Sequence, residues 1–191
     1  MSSSSERAVC VYCAASTRAD PAFYAAAARL GTLLAEDGRV VVYGGGRYGS
    51  MGALAEGALA AGGRVIGVMP RFLQDLEVAH EHLSELHIVE DMRSRKHQMM
   101  LRSRAVVALP GGYGTLEELL EAMTLKRLGV YGGPIVMVNT RQYFDPLLRM
   151  LESAVAERFL EDTHRALWQC VATPDEVIPL LNACAYAQSV F

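Results

Sequence analysis

Short apolar runs alternate with longer amphipathic stretches along most of the chain. The apolar runs are rich in Val and Ile and most lack strict apolar–polar alternation, which is typical of strands covered on both faces. They predict strands near residues 8–13, 39–43, 64–68, 85–89, 104–109, 134–138 and 167–172. The amphipathic stretches predict helices near residues 21–37, 50–62, 91–103, 115–128, 142–158 and 174–185. Repeated strand–helix units predict a three-layer α/β/α, Rossmann-like fold with a mainly parallel sheet of about seven strands.

The length of the chain indicates a single domain. Its 191 residues fall short of the roughly 250 residues at which single cores begin to split. We expect one nucleotide-binding domain over residues 8–191, preceded by a disordered polar segment at residues 1–7. That segment lacks the basic and apolar regions of a signal peptide, and no run of residues is apolar enough to span a bilayer. A cytoplasmic protein without a membrane partner is therefore predicted.

The charge balance limits the class of ligand. Lys and Arg total 18 against 21 Asp and Glu, which gives a formal net charge of -3. A nucleic acid polymer as partner is not expected, because such binding needs clustered positive charge. A nucleotide bound by this chain should be small. Only Lys96 and Lys126 are lysines, so few residues are available for lysine-dependent chemistry.

The cysteines and histidines do not predict a metal site. Cys10 and Cys13 form a C-x-x-C within a predicted strand, where residues three apart point to opposite faces. They are interpreted as core thiols. His80 and His82 have no nearby third ligand of matching type and are interpreted as loop residues. We expect neither a metal nor a cofactor.

Two glycine clusters follow predicted strands, one from Gly44 to Gly63 and one from Gly111 to Gly114. Glycine lets the backbone approach a ligand closely, and the start of a helix offers unpaired N–H groups with partial positive charge. For either cluster taken alone, a tight strand-to-helix turn without a ligand is the favoured interpretation. Two of them at the same edge of a parallel sheet favour a phosphate-binding site.

Two common nucleotide-binding motifs match the sequence poorly or not at all. Gly44-x-Gly46-x-x-Gly49 has the dinucleotide spacing, but the next strand ends in Met69-Pro70 instead of an acidic residue, which disfavours NAD. A P-loop is excluded because no glycine-rich loop is followed by Lys and Ser or Thr.

Two charged residues are candidates for chemistry. Arg95 shares an apolar helical stripe with Met92 and Met99, so it either needs an anionic partner or extends its head to water. Glu118 lies just after the second glycine cluster, but Thr115 to Glu118 also forms a good capping box. From the residues alone the cap is the safer assignment for Glu118.

Four segments together resemble the LOG (Lonely Guy) family of cytokinin riboside 5'-monophosphate phosphoribohydrolases, many of which were once labelled lysine decarboxylases. They are VYCAAS at 11–16, GGGRYGSMG at 44–52, Met92-x-x-Arg95-Lys96-x-x-Met99 and PGGYGTLEE at 110–118. The resemblance covers about residues 8–160. The chain departs from the family at Ala14-Ala15, where Gly-Ser is common, and at Ser50, where Leu is common. These departures bear on base preference.

The resemblance implies hydrolysis of the N-glycosidic bond of a nucleoside 5'-monophosphate, of the cytokinin or adenosine type, to the free base and ribose 5-phosphate. It implies that Arg95 and Glu118 are catalytic and that the chain is a homodimer. It also implies a substrate site that contains, besides these two, Glu77, Lys96, Gly112, Tyr113, Gly114, Thr115, Leu116, Glu117 and Thr124.

Other functions remain open from the residues. A non-catalytic nucleotide carrier or sensor on the same fold would bind without turnover. A protein whose glycine loops are only turns would bind no nucleotide. A decarboxylase would hold pyridoxal phosphate as a Schiff base on one of the two lysines.

Overall fold

All seven predicted strands form and pair in parallel in a single sheet. The computed structural model describes residues 7–74 and 78–184. The strands are β1 (Ala8–Tyr12), β2 (Val40–Tyr43), β3 (Val65–Pro70), β4 (Glu85–Val89), β5 (Ala105–Ala108), β6 (Ile135–Val138) and β7 (Gln169–Val171). The predicted Rossmann-like α/β fold is thereby confirmed. Residues 1–6 of the predicted disordered segment lie outside the described residues.

The helices agree with prediction within a few residues. They are α1 (Pro21–Glu36), α2 (Gly49–Ala60), α3 (Met92–Leu101), α4 (Tyr113–Arg127), α5 (Asp145–Ala156) and α6 (Val177–Ala183). Asp20 caps α1 by accepting from the Ala22 N–H over 2.9 Å, with Pro21 in the first turn, as the sequence predicts. The main difference is that α5 and α6 begin about three residues later than predicted, after short 3₁₀ turns at Thr140–Gln142 and Pro174–Glu176.

The sheet has a separate apolar core on each face. Along the fully buried β1, Val9 and Val11 face α1, α2 and α6, whereas Cys10 and Tyr12 face α3, α4 and α5. This period-two alternation with burial on both sides explains why the sequence shows continuous apolar runs. Cys13 and Cys10 lie in the cores on opposite faces of the sheet, and both are buried core cysteines, as expected. In the described parts of the chain, no helix has the length and apolar character needed to cross a bilayer.

The strand order reverses at β1. From β1 the chain builds β2, β3 and β4 on one side, then returns to place β5, β6 and β7 on the other. The loops that leave the carboxyl ends of β1 and β5 therefore diverge and open a crevice between them. In open parallel sheets, ligands bind at this position.

Candidate active site

A cavity of about 510 Å³ lies at the reversal point of the sheet. Its walls come from the loop after β1, the start of α2, the turn after β3, α3 and the start of α4. The lining residues are Cys13, Ala14, Ala15, Ser16, Met51, Phe72, Leu73, Met92, Arg95, Gly112, Gly114, Thr115 and Glu118. Five of the predicted site residues, Arg95, Gly112, Gly114, Thr115 and Glu118, are thus brought together.

Arg95 is buried and held by backbone carbonyl groups. Its Nε donates to the carbonyl of Val68 at 3.1 Å, and its Nη2 donates to that of Gly44 at 2.9 Å. Only 3% of the residue is exposed, so the alternative in which the head reaches bulk water is wrong. Because the two carbonyls belong to β3 and to the end of β2, the sheet itself fixes the guanidinium at the cavity.

Glu118 faces the cavity and does not cap the helix. Helix α4 begins at Tyr113 with Gly112 as N-cap, two residues before the predicted start, so Thr115 lies inside the first turn. The capping-box assignment is therefore wrong. Glu118 falls on the inner side of α4 and is 7% exposed. A largely buried carboxylate thus lines the same cavity as the Arg95 guanidinium.

The carboxylate of Glu118 affects the pKa values of two core residues, Cys10 and Tyr12. Burial, followed by the nearby carboxylate of Glu118, raises the pKa of the Cys10 thiol well above its ordinary value. Burial, then Cys10 and Glu118, raises the pKa of Tyr12 in the same direction. Both groups therefore stay protonated and neutral.

The second glycine loop presents backbone N–H groups to the cavity. The first hydrogen bond of α4 runs from the Leu116 N–H to the Gly112 carbonyl, so the N–H groups of residues 112–115 have no partner within the helix. A Cβ atom at Gly112 or Gly114 would meet nothing within 4 Å. This open, positively polarised helix start suits an anion such as a phosphate.

The first glycine loop instead packs against protein. A Cβ atom at Gly49 would lie 2.4 Å from the carbonyl oxygen of Ser16, and one at Gly52 would lie 1.9 Å from that of Arg47. The same loop forms an antiparallel bridge from Gly46 to Ala79. Of this loop and the start of α2, only Met51 lines the cavity. Its glycines serve close packing, which is the turn interpretation that the sequence left open.

Several predicted site residues lie away from this cavity. Lys96 pairs with Glu117 and with Glu121, the latter at 3.0 Å. Burial lowers the pKa of Lys96, but the two carboxylates outweigh it and the net shift is upward. Tyr113 is 96% exposed. Leu116 packs on the core, and Thr124 lies further along α4. Glu77 lies outside the described residues.

Sequence reasoning missed the apolar wall of the cavity. Phe72 and Leu73 belong to a 3₁₀ turn directly after β3, and Met51 lies in the first turn of α2. Their apolar character was consistent with a core position, so the pattern gave no separate signal. Ser16, in the loop after β1, also lines the cavity.

The described residues contain no group of three or more His, Cys, Asp or Glu side chains placed to hold a metal ion. His80 and His82 lie in a different cavity, of about 380 Å³, with Arg47, Glu56, Leu59 and Glu81.

Known sequences resemble this chain over most of its length. A family model described as "possible lysine decarboxylase" matches residues 51–181. A probable cytokinin riboside 5'-monophosphate phosphoribohydrolase of Oryza sativa subsp. japonica is 43% identical over 169 residues, which cover 88% of this chain and 74% of the relative. A cytokinin riboside 5'-monophosphate phosphoribohydrolase of Arabidopsis thaliana is 38% identical over 174 residues, which cover 91% and 82%.

Solved structures share the fold at lower identity. The molybdenum cofactor binding protein from Rippkaea orientalis matches with a TM-score of 0.71 and 23% identity, over 92% of this chain and 95% of that one. The molybdenum cofactor carrier protein from Chlamydomonas reinhardtii gives 0.70 and 21%, over the same shares of the two chains. At these identities the likeness concerns the fold alone.

Proposed function

The chain belongs to the LOG family of cytokinin riboside 5'-monophosphate phosphoribohydrolases, and we propose that it hydrolyses the N-glycosidic bond of such a nucleotide. The products are the free base and ribose 5-phosphate. The observation that carries this proposal is the placement of Glu118, Arg95 and the open N–H groups of residues 112–115 around one cavity at the reversal point of the sheet.

The proposed roles follow from charge and position. The helix start at residues 112–115 binds the 5'-phosphate, because its N–H groups and dipole attract an anion. The apolar wall of Met51, Phe72 and Leu73 receives the base, since purine faces and alkyl substituents gain from apolar burial. A ribose that joins these two positions then lies beside Glu118.

Glu118 stabilises the reacting centre. As the bond from the anomeric carbon to the base nitrogen breaks, positive charge develops on the ribose ring, and a nearby carboxylate stabilises it. The same carboxylate orients a water molecule whose oxygen forms the new bond to that carbon, while a proton passes to the departing base. Arg95, held by the Val68 and Gly44 carbonyls, orients the ribose and phosphate without moving.

We propose an adenine-type base, with or without an N6 substituent. The chain is also proposed to act as a homodimer. Lys96 and Thr124, which the family pattern includes in the substrate site, lie outside the cavity of one chain, so a second copy would be needed to bring them to it. Exposed apolar side chains around Thr124, including Leu120 at 41% exposure, offer a contact surface for that copy.

Incubation with AMP and with an N6-substituted AMP, followed by chromatography of the free base, tests the function. Glu118→Gln and Arg95→Ala should each abolish base release while the protein stays folded. Glu157→Gln is the matched control, since Glu157 is exposed just beyond the end of α5 and does not line the cavity. Near-normal turnover in Glu118→Gln would contradict the proposal, and nucleotide binding without turnover in the unaltered protein would favour a carrier.

A pyridoxal-phosphate decarboxylase is a poorer fit. Lys96 is engaged by two carboxylates. Burial lowers the pKa of Lys126, but this residue lies in a separate cavity of about 130 Å³, below the roughly 300 Å³ of ordinary cofactor sites. Purified protein should show no pyridoxal absorbance and release no carbon dioxide from lysine.

A further inference from the structure

Tyr143 contacts the second glycine loop from outside the cavity. It lies in the turn between β6 and α5, and its hydroxyl donates to the carbonyl oxygen of Gly111 over 2.5 Å. The ring packs edge-to-face on Phe23 and Phe144, with centroids 5.8 Å and 5.3 Å away. The hydroxyl is therefore aimed by the packing of its own ring.

The turn that contains Tyr143 includes residues with an unfavourable backbone conformation. Arg141 and Gln142 have φ angles of 56° and 60°, in the left-handed region that non-glycine residues rarely adopt. At each such residue the Cβ atom is crowded by the backbone, so the conformation has a steric cost. Such a backbone conformation persists only where the surrounding structure fixes it, and residues of this kind cluster at functional sites.

Side chains from three parts of the molecule fix this turn. Arg141 pairs with Asp20, the N-cap of α1. The Asn139 side chain accepts from the Phe144 N–H at 2.7 Å and donates to Asp145 at 2.8 Å. The turn is thus held at both ends, with Tyr143 between them.

The bond to Gly111 also controls the next N–H group. In a planar trans peptide the C=O and N–H point in opposite directions. The carbonyl of Gly111 and the N–H of Gly112 share one peptide unit, so the Tyr143 hydroxyl fixes the direction of the Gly112 N–H. Accepting a hydrogen bond also polarises that unit and makes its N–H a stronger donor. Gly112 lines the cavity and carries the first of the four N–H groups without a helical partner.

We propose that Tyr143 is a positioning residue that orients the glycine loop for the 5'-phosphate of the substrate. This inference rests on the proposed function and adds a residue that touches neither substrate nor cavity. Removal of the Tyr143 hydroxyl should weaken phosphate binding and leave the rate of the bond-breaking step unchanged.

The test is Tyr143→Phe, which removes the hydroxyl and keeps the ring packing. The KM for AMP should rise roughly three- to tenfold, the loss expected for one hydrogen bond, with kcat unchanged. Inhibition by ribose 5-phosphate should weaken by the same factor, whereas inhibition by adenine should not change. Tyr48→Phe is the matched control, because Tyr48 is 45% exposed and does not line the cavity.

A second measurement needs no substrate. Hydrogen exchange at the amides of residues 112–114 should be faster in Tyr143→Phe than in the unaltered protein and in Tyr48→Phe. Unchanged exchange, an unchanged KM, or an equal loss of affinity for ribose 5-phosphate and adenine would each overturn the proposal. If the unaltered protein releases no base from any nucleotide, the proposed function fails, and the exchange measurement still decides whether Tyr143 orients the loop.

Discussion

The Nη2 atom of Arg95 donates to the carbonyl oxygen of Gly44 over 2.9 Å, although the two residues are 51 positions apart in the chain. Gly44 permits this contact because it has no side chain. A Cβ atom at this position would lie 2.0 Å from Nη2 and 3.0 Å from Cζ of Arg95. The nearest obstacles are side-chain atoms, so the protein can accommodate alanine there by moving the guanidinium.

Gly44→Ala should therefore displace Arg95 without unfolding the protein. A shift of about 1 Å in an orienting group can cost roughly 100-fold in rate, and kcat/KM for base release should fall to that extent. The double variant Gly44→Ala/Arg95→Ala should bind AMP no more weakly than Arg95→Ala alone, because both changes remove the same interaction. Additive losses of AMP affinity in this cycle, with cooperative thermal unfolding preserved, would show that Gly44 acts independently of Arg95.

The sequence predicts elements well where the signal is local. The strands are found because burial on both faces leaves uninterrupted apolar runs, as in β1 and β5. The assignment of Glu118 to a capping box is wrong because it rested on a local signal alone. The Thr115–Glu118 pattern satisfies the local rule for a cap, but α4 already begins after Gly112, whose extended backbone the pattern does not reveal.

Long-range contacts account for the rest of the site. In the sequence, the first glycine loop resembles a ligand-binding loop. In the structure it forms an antiparallel bridge from Gly46 to Ala79. Tyr143 reaches Gly111 across 32 positions. No periodicity or short motif contains information on either contact, since both depend on which strands become neighbours in the sheet.

Relief of the strained turn should raise stability. Gln142 has a left-handed backbone and an exposed side chain, so a substitution there acts through the backbone. Gln142→Gly should raise the free energy of unfolding by up to about 1 kcal/mol, because glycine adopts this conformation without steric cost. Gln142→Val should lower it by about 1–3 kcal/mol, since a branched side chain is strongly disfavoured at this φ angle. Urea unfolding measures both, and an equal effect of the two substitutions would contradict the account of the turn.

Stability should also fall in mild acid because of His80. Burial, with smaller contributions from His82 and Arg47, lowers the pKa of His80 below its ordinary value of 6.5 against the opposing effect of Glu56 and Glu81. The unfolded chain then binds a proton more readily than the folded one. The stabilisation is present above the unfolded pKa of 6.5 and is lost as the pH falls from there through the folded pKa.

His80→Gln should remove this part of the pH dependence. The free energy of unfolding, measured with urea at about pH 7.5 and about pH 5.5, should fall less between the two in the variant than in the unaltered protein. His97→Gln is the control, because His97 is exposed on α3. Carboxylates with lowered pKa values, such as Asp20 and Asp175, contribute equally in all three proteins. The same pH dependence in His80→Gln and in the unaltered protein would show that His80 is not the group responsible.

Disruption of the proposed dimer should remove activity together with association. Thr124 lies in a shallow apolar groove with Leu120, Met123, Leu151 and Trp168. If a second copy covers this groove, a charge at Leu120 would be buried without a partner, which is strongly unfavourable. Leu120→Glu should therefore give a monomer by light scattering at micromolar concentration, whereas the unaltered protein should give a dimer.

Turnover should follow the oligomeric state, because the monomer would lack the Lys96 and Thr124 that a partner brings to the substrate. Leu101→Glu is the matched control, since Leu101 is 43% exposed, close to the 41% of Leu120, but lies at the end of α3. This variant should remain dimeric and active, because glutamate is also a good helix former. A monomeric Leu120→Glu protein with full activity would show that one chain holds a complete site, and Lys96 and Thr124 would then have to be removed from it.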